Sequence, residues 1–447
     1  MEICTVGGYE EVGKNMTAVK VGDDVFLFDA GLYLPPLVER EDAESQIEMN
    51  ETELRKLKAI PDDLILDKLG WRDKVRAILI GHAHLDHVGG LPYLSHRYPQ
   101  AKILASPFTM AVLDNILRDE KINMKNHKIK IKENSTYNIA GKSGNYKIEF
   151  IHTTHSTLQC CFIALHTREG IFFYALDFKF DNYPIIGAPP NYQKLRELKK
   201  QGVKVLVVDS LYSGTDRRTA SERIARNLLE DALGVVRDTK SALFITTFSS
   251  HIARLKSIVE FGKRTKRKII FVGRSLNKYV NAAKEVGLCP FYKQIQLVKY
   301  KNNVNSLLKQ VEKDRGKYFV VCTGHQAEPG SILDRITSDK TPFKFRAGDH
   351  LIFSSSVIPT LVNINSREKM DKKLRSKGVR LQTDIHVSGH GGREDLRDLV
   401  EILKPQHIIP AHGSLQQETP MIELATELGY KFQDTVHLSS DGKLLKF

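Results

Sequence analysis

His82-Ala83-His84-Leu85-Asp86-His87 follows the apolar run Val75 to Ile80 and precedes the helix-like stretch GGLPYLSHRY. Three imidazoles and one carboxylate within six residues form a donor set suited to zinc, which binds both groups at about 2.0–2.2 Å. His82 and His84 stand two apart and can face one ion, whereas the adjacent pair Asp86 and His87 turns toward a second. An isolated histidine is usually structural, but this density of donors at the end of a predicted strand points to metal. Six residues cannot close two sites, so further ligands are expected where other apolar strands open into loops. His155 follows KIEFI, Asp177 follows IFFYAL and His412 follows HIIP, which places His, Asp and His on one strand-end rim beside HAHLDH.

At 447 residues, 41% of them hydrophobic, the chain exceeds what one core usually supports, so two compact units are expected. The longest apolar runs are strand-sized, and MEICTVGGYEEVGK lacks a cationic region followed by an apolar stretch, so neither export nor a membrane span is expected. Five cysteines without a CxxC pair argue against a disulfide framework and for a reducing compartment, with Cys160 and Cys161 packed in a core. The net charge of +14 is confined to one segment, because residues 237–318 carry 19 Lys/Arg against 5 Asp/Glu and the remainder balances. A basic surface of this kind suits a nucleic acid, and the cluster Lys263, Arg264, Lys266, Arg267 and Lys268 is its expected contact.

Strand-like segments dominate the start: Cys4 to Val6, Met16 to Val21, Val25 to Phe28, Val75 to Ile80, Lys147 to Ile151 and Ile171 to Leu176. A helical pattern from Arg217 to Arg237, a strand from Ala242 to Thr247, a helix from Ile252 to Arg264 and a strand from Lys268 to Val272 then read as a parallel α/β unit. We expect this basic unit, residues 211–358, to be inserted into a first unit built from 1–210 and 359–447. Segment 38–62 is acidic and helix-like. Gly8 to Asn15, GYEEVGKN, fits all but the last place of GxxxxGK[ST], but Asn15 replaces the magnesium-binding hydroxyl and a strand follows where a helix is required. A glycine turn between two strands is the better reading.

The rim resembles the metallo-β-lactamase superfamily, in which HxHxDH and three later His or Asp positions hold a dinuclear zinc centre. The resemblance implies that His82, His84 and His155 hold one zinc and Asp86, His87 and His412 the other, with Asp177 bridging. Two cations about 3.5–4 Å apart can share a hydroxide nucleophile and neutralise charge on phosphate oxygens. The landmarks GGYEEVGKNM, DAGLYLP, DFKFD, TFSSHIARL, VGRSLNKYV, CTGHQAEPGS, FSSSVIP, HVSGHGG and PAHG narrow the likeness to β-CASP nucleases, and within them to the ribonuclease J family, archaeal type. The implied fold is α/β, a metallo-β-lactamase αββα sandwich with an inserted α/β β-CASP domain.

That resemblance also matches Asp209 to the family's acidic strand end and His390 to its histidine. His412 at the last landmark favours RNA over DNA. A histidine near its ordinary pKa can protonate an alkoxide leaving group, so His390 with Asp209 is the expected proton donor. Ser354 to Ser356 and the loop His386, Val387, Ser388, Gly389 and His390 match a substrate pocket, with glycines 389, 391 and 392 expected to let a phosphate approach the backbone. The expected activity is 5′-to-3′ hydrolysis of single-stranded RNA in cytoplasmic RNA degradation, with endonuclease cleavage the alternative. Zinc is the expected metal, manganese or magnesium the substitutes. The chain ends without the extra C-terminal domain of bacterial relatives, which leaves a homodimer open. A small thioester or lactam hydrolase would have no use for the basic insertion, and a non-catalytic RNA binder would not need every ligand. A DNA-directed nuclease is the weaker alternative.

Overall fold

Along Gly170–Ala175, Phe172 and Tyr174 point into one apolar core while Ile171, Phe173 and Ala175 point into another. Period-two alternation with both faces buried is what a strand inside a layered sandwich requires. The computed structural model describes residues 1–40, 50–236, 240–358 and 361–447. Residues 41–49 of the acidic segment and Arg237 at the end of the expected helix lie outside the described residues.

Three sheets organise the chain. The first has the order Lys443–Lys446, Glu2–Gly7, Met16–Val21, Asp24–Phe28, Val75–Ile80, Lys102–Ala105 and Lys128–Lys130, so both chain ends pair in it. The second has the order His407–Ala411, Val203–Asp209, Gly170–Ala175, Cys161–Thr167, Asn145–His152 and Ser135–Ala140. Between them lies an aromatic core in which the rings of Phe28 and Phe172 sit 4.7 Å apart. Helices Tyr192–Gln201, Arg393–Leu403 and Leu415–Glu427 cover the second sheet, and Pro107–Asp119 covers the first, which gives the αββα order.

The third sheet, Gln296–Val298, Lys268–Val272, Tyr318–Cys322, Leu243–Thr246, His350–Phe353 and Arg380–Gln382, is parallel in every pairing. Its helix Arg274–Glu285 packs on Pro107–Asp119, joining the two units through one continuous apolar cluster. The helix expected from Arg217 begins only at Glu222. Upstream, the Thr215 carbonyl accepts from the Arg393 amide, the Thr219 amide donates to Asp395, and the Ser221 hydroxyl caps the helix, so these residues are tied into a loop instead. Residues Gly8 to Asn15 form the expected turn between antiparallel strands. All five cysteines are free. No helix among the described residues is long and apolar enough to cross a membrane.

Candidate metal centre

Parallel register brings the donors together. Ala175 pairs with Val208 and Asp209 with Ala411, so three strands end level and carry Asp177, Asp209 and His412 into one rim. Val75–Ile80 delivers His82, His84, Asp86 and His87 to the same rim from the opposing sheet. The turns are strained: Asp29, Asp177 and His412 adopt left-handed φ of 60°, 52° and 60°. Each such non-glycine residue costs about 1–3 kcal/mol and persists only where surrounding contacts impose it.

His82, His84, His155 and Asp177 each offer one ligand atom, all within 4.8 Å of one another, and so do Asp86, His87, Asp177 and His412. Asp177 belongs to both clusters. His82 Nε2 and Asp177 Oδ1 are buried with no hydrogen-bond partner, and His84 Nδ1 lies 3.1 Å from His155 Nε2. Orphaned buried donor atoms and facing imidazole nitrogens are what a cation resolves, so these residues fit a divalent metal. Burial, with the neighbouring His82, pushes the His84 pKa down to about 3, and burial with His84 lowers that of His155. Both rings therefore offer lone pairs at neutral pH. Burial opposes ionisation of Asp177, but His412, His87 and His390 hold its carboxyl well below the usual range.

The nitrogens turned away from the clusters are held as well. His87 Nδ1 lies 2.7 Å from Asp29 Oδ2, His412 Nδ1 3.0 Å from Asn15 Oδ1, His155 Nδ1 2.7 Å from the Gly389 carbonyl and His84 Nε2 3.0 Å from Ser250 Oγ. Sequence reasoning missed Asn15, Asp29 and Ser250 as partners of the site. Asn15 enters the sequence reading as the residue that excludes a phosphate loop and as part of GGYEEVGKNM, but its amide oxygen here faces the His412 nitrogen turned away from the cluster. Asp29 had two signals in the sequence, its place directly after the buried strand Asp24–Phe28 and the landmark DAGLYLP that it begins.

His390 Nδ1 lies 2.8 Å from Asp209 Oδ2, and these two residues with Asp177 form a third close group. Burial pulls the His390 pKa down, yet the carboxylates of Asp177 and Asp209 overcome it and raise it to about 9. The loop leading to His390 spans the two units. Its Ile385 carbonyl accepts from Ser354 Oγ at 2.9 Å and from the buried Arg254, while its Gly389 carbonyl accepts from His155.

Two expectations change here. The Ser354 hydroxyl is enclosed between Arg254 and Ile385 and supports the wall instead of facing substrate. Ser355 Oγ is buried without a partner, the Ser356 carbonyl accepts from Gln326, and Ser388 Oγ accepts from the His390 amide. At Gly389, Gly391 and Gly392 an added Cβ would meet Ser156, Asp395 and the Arg217 carbonyl at 2.7, 2.8 and 2.2 Å. Close packing alone therefore calls for glycine at these three positions. Val387 is half-buried, and His386 is pushed down to about 2 by burial and Arg254, so its ring is neutral.

The basic cluster expected to contact RNA lies at the end of the third sheet away from the metal cluster. Thr246 and Phe353 end the third sheet at the cleft, whereas Lys268 begins a parallel strand at the opposite end. Arg267 is buried and donates to the Ser241 carbonyl, and Arg264 pairs with Glu230.

Two His/Asp clusters on the strand-end rim of an αββα sandwich define a metallohydrolase of the Metallo-beta-lactamase superfamily, whose family model matches residues 9–166. Residues 240–369 match the model described as Ribonuclease J, beta-CASP domain, and 378–434 the Zn-dependent metallo-hydrolase RNA specificity domain. The chain is 40% identical over 446 residues to Ribonuclease J of Pyrococcus abyssi, covering 100% of this chain and 97% of that one. It is 35% identical to Ribonuclease J of Methanocaldococcus jannaschii, covering 100% and 99%. Against Ribonuclease J 1 of Streptococcus pyogenes the identity is 28%, over 99% of this chain and 74% of the relative. The chain belongs to the ribonuclease J family. A solved structure from Enterococcus faecalis, described as a protein of unknown function, shares the fold with a TM-score of 0.63 over 99% of both chains at 16% identity.

Proposed function

We propose that the chain is a two-zinc ribonuclease that releases nucleotides from the 5′ end of single-stranded RNA and favours a 5′-monophosphate, acting in RNA decay or processing. Metal-dependent RNA hydrolysis follows from the family and the donor set. His82, His84 and His155 would hold one zinc and Asp86, His87 and His412 the other, with Asp177 shared. Zinc bound there supplies Lewis acidity toward phosphate oxygens, and manganese or magnesium could substitute. His390, kept protonated by Asp209, gives its proton to the departing alkoxide. The cleft lies where the inserted unit meets the unit built from both chain ends; the inserted unit, expected over 211–358, would run on to Gln382, since helix Leu361–Ser376 packs on its core and Arg380–Gln382 pairs in its sheet.

The observation that carries the 5′-end reading is the loop from Ile385 to Gly389. One end touches the Ser354 wall and the other touches His155. Four residue steps span at most about 14 Å, so a terminal phosphate held by Ser355, Ser356, His386 and Ser388 would set a bond near that end against the metal cluster. The test compares one RNA carrying 5′-monophosphate, 5′-triphosphate or no ends at all, as a circle. Mononucleotides should appear fastest from the monophosphate, slowly from the triphosphate and not from the circle. Equal cutting of all three would replace this reading by endonuclease cleavage. Asp177→Asn should remove both activity and transition-metal uptake, and an active Asp177→Asn enzyme would overturn the shared-ligand mechanism.

A further inference from the structure

We propose that Ser250, contributed by the loop after the inserted strand Leu243–Thr246, is a positioning residue of the metal centre. Its hydroxyl holds His84 as the Nε2–H tautomer, which presents the Nδ1 lone pair to the ion. A neutral imidazole carries one donor and one acceptor nitrogen, and the bond made by the outer nitrogen decides which one is free for metal. His84 Nε2 lies 3.0 Å from Ser250 Oγ, while Nδ1 faces His155 Nε2 inside the cluster. The other three outward partners, the Asp29 carboxylate, the Asn15 amide oxygen and the Gly389 carbonyl, stand outside the stretch from Leu243 to Phe353. Of these four partners, Ser250 is the one that comes from the inserted sheet.

Ser250 is itself fixed. It is 6% exposed and precedes His251, whose side chain caps helix Ile252–Gly262 and lies 3.2 Å from Glu222; Glu222 in turn accepts two hydrogen bonds from Arg254. A second contact converges on the same segment, because the Tyr279 hydroxyl donates to the Ala83 carbonyl at 3.2 Å. The inserted unit therefore meets the ligand segment at two points, Ser250 on the His84 ring and Tyr279 on the Ala83 carbonyl.

The inference rests on His84 being a ligand. Zinc affinity of the full chain, measured by competition against a chromogenic chelator, tests both statements separately. His84→Ala should lose one zinc; parent-like binding by that variant would remove the ligand assignment. Ser250→Ala should bind one zinc about 10- to 100-fold more weakly, the usual consequence of deleting an outer partner, and Ser250→Thr should stay near the parent. Chelated parent, Ala and Thr forms should melt alike. If Ser250→Ala is unstable, the isosteric pair Ser250→Thr and Ser250→Val carries the same contrast, with the hydroxyl present in one and absent in the other. Parent-like affinity without the hydroxyl, or an equal loss in the Thr variant, would overturn the proposal while leaving His84 a ligand.

Discussion

His390 is held between opposing effects. Burial disfavours its charge, and the Asp177 and Asp209 carboxylates restore it to a pKa of about 9. A cation on Asp177 would cancel much of that carboxylate's field, leaving Asp209, 2.8 Å from Nδ1, as the group that keeps the ring protonated. The raised pKa means that the protonated donor is present below that value and is lost as pH rises through it. Asp209→Asn should lower the pKa, so the alkaline limb of the pH–rate profile should move to lower pH. His390→Ala should reduce the rate by roughly 10² to 10⁴ and retain the metal, the usual worth of one placed general acid. An alkaline limb unmoved in Asp209→Asn would remove this pair from the chemistry, and metal loss in His390→Ala would recast the histidine as a ligand.

The helix Leu415–Glu427 shows a different electrostatic conflict. Glu418 on its first turn is fully buried, neither carboxylate oxygen has a hydrogen-bond partner, and burial with Asp441, Glu10 and Glu11 nearby pushes its pKa up to about 9. The folded state keeps a proton that the unfolded chain releases near the ordinary value of 4.5. Stability is therefore lost as pH rises from that value to about 9, on the order of 3 kcal/mol by pH 7 at about 1.4 kcal/mol per pH unit. Glu418→Gln should melt higher than the parent at pH 8, with a smaller gain at pH 5; a constant gap across that range would show that ionisation is not the cause.

Elements with a strong period were readable: Met16–Val21, Val75–Ile80 and Lys268–Val272 stand where their alternating or continuous apolar runs put them. The late start of helix Glu222–Gly234 was not readable, because the Asp395 contact that ties down Thr219 comes from 176 positions away. The candidate ligands could be read from HAHLDH and from donors at strand ends. Their orienting partners could not, since Asn15 meets His412 across 397 positions and Ser250 meets His84 across 166. A hydroxyl or amide has no sequence signature when its role depends on which strands end side by side.

Charge at the scale of the whole molecule invites a similar error. The insertion carries the chain's net charge, yet the exposed Lys263, Lys266 and Lys268 lie at the end of the third sheet away from the cleft, about 17 Å along a five-residue strand. Arg267 is enclosed, and Arg264 is paired with Glu230 and lies over the Phe261 ring at 4.9 Å. At physiological salt the Debye length is about 8 Å, so exposed charges at that distance act weakly on a strand in the cleft. They can still raise the rate of encounter at low salt, because long-range attraction is less screened there. Equilibrium binding of single-stranded RNA should weaken steeply with salt in the parent, by a slope of about −0.7 for each phosphate contacted. Replacing Lys263, Lys266 and Lys268 together should leave the slope of log affinity against log salt unchanged while lowering the association rate in low salt. A slope flattened by about two in the triple variant would mean that RNA wraps from the cleft to the far end of the inserted sheet, and the path assigned to the substrate would have to be redrawn along that face.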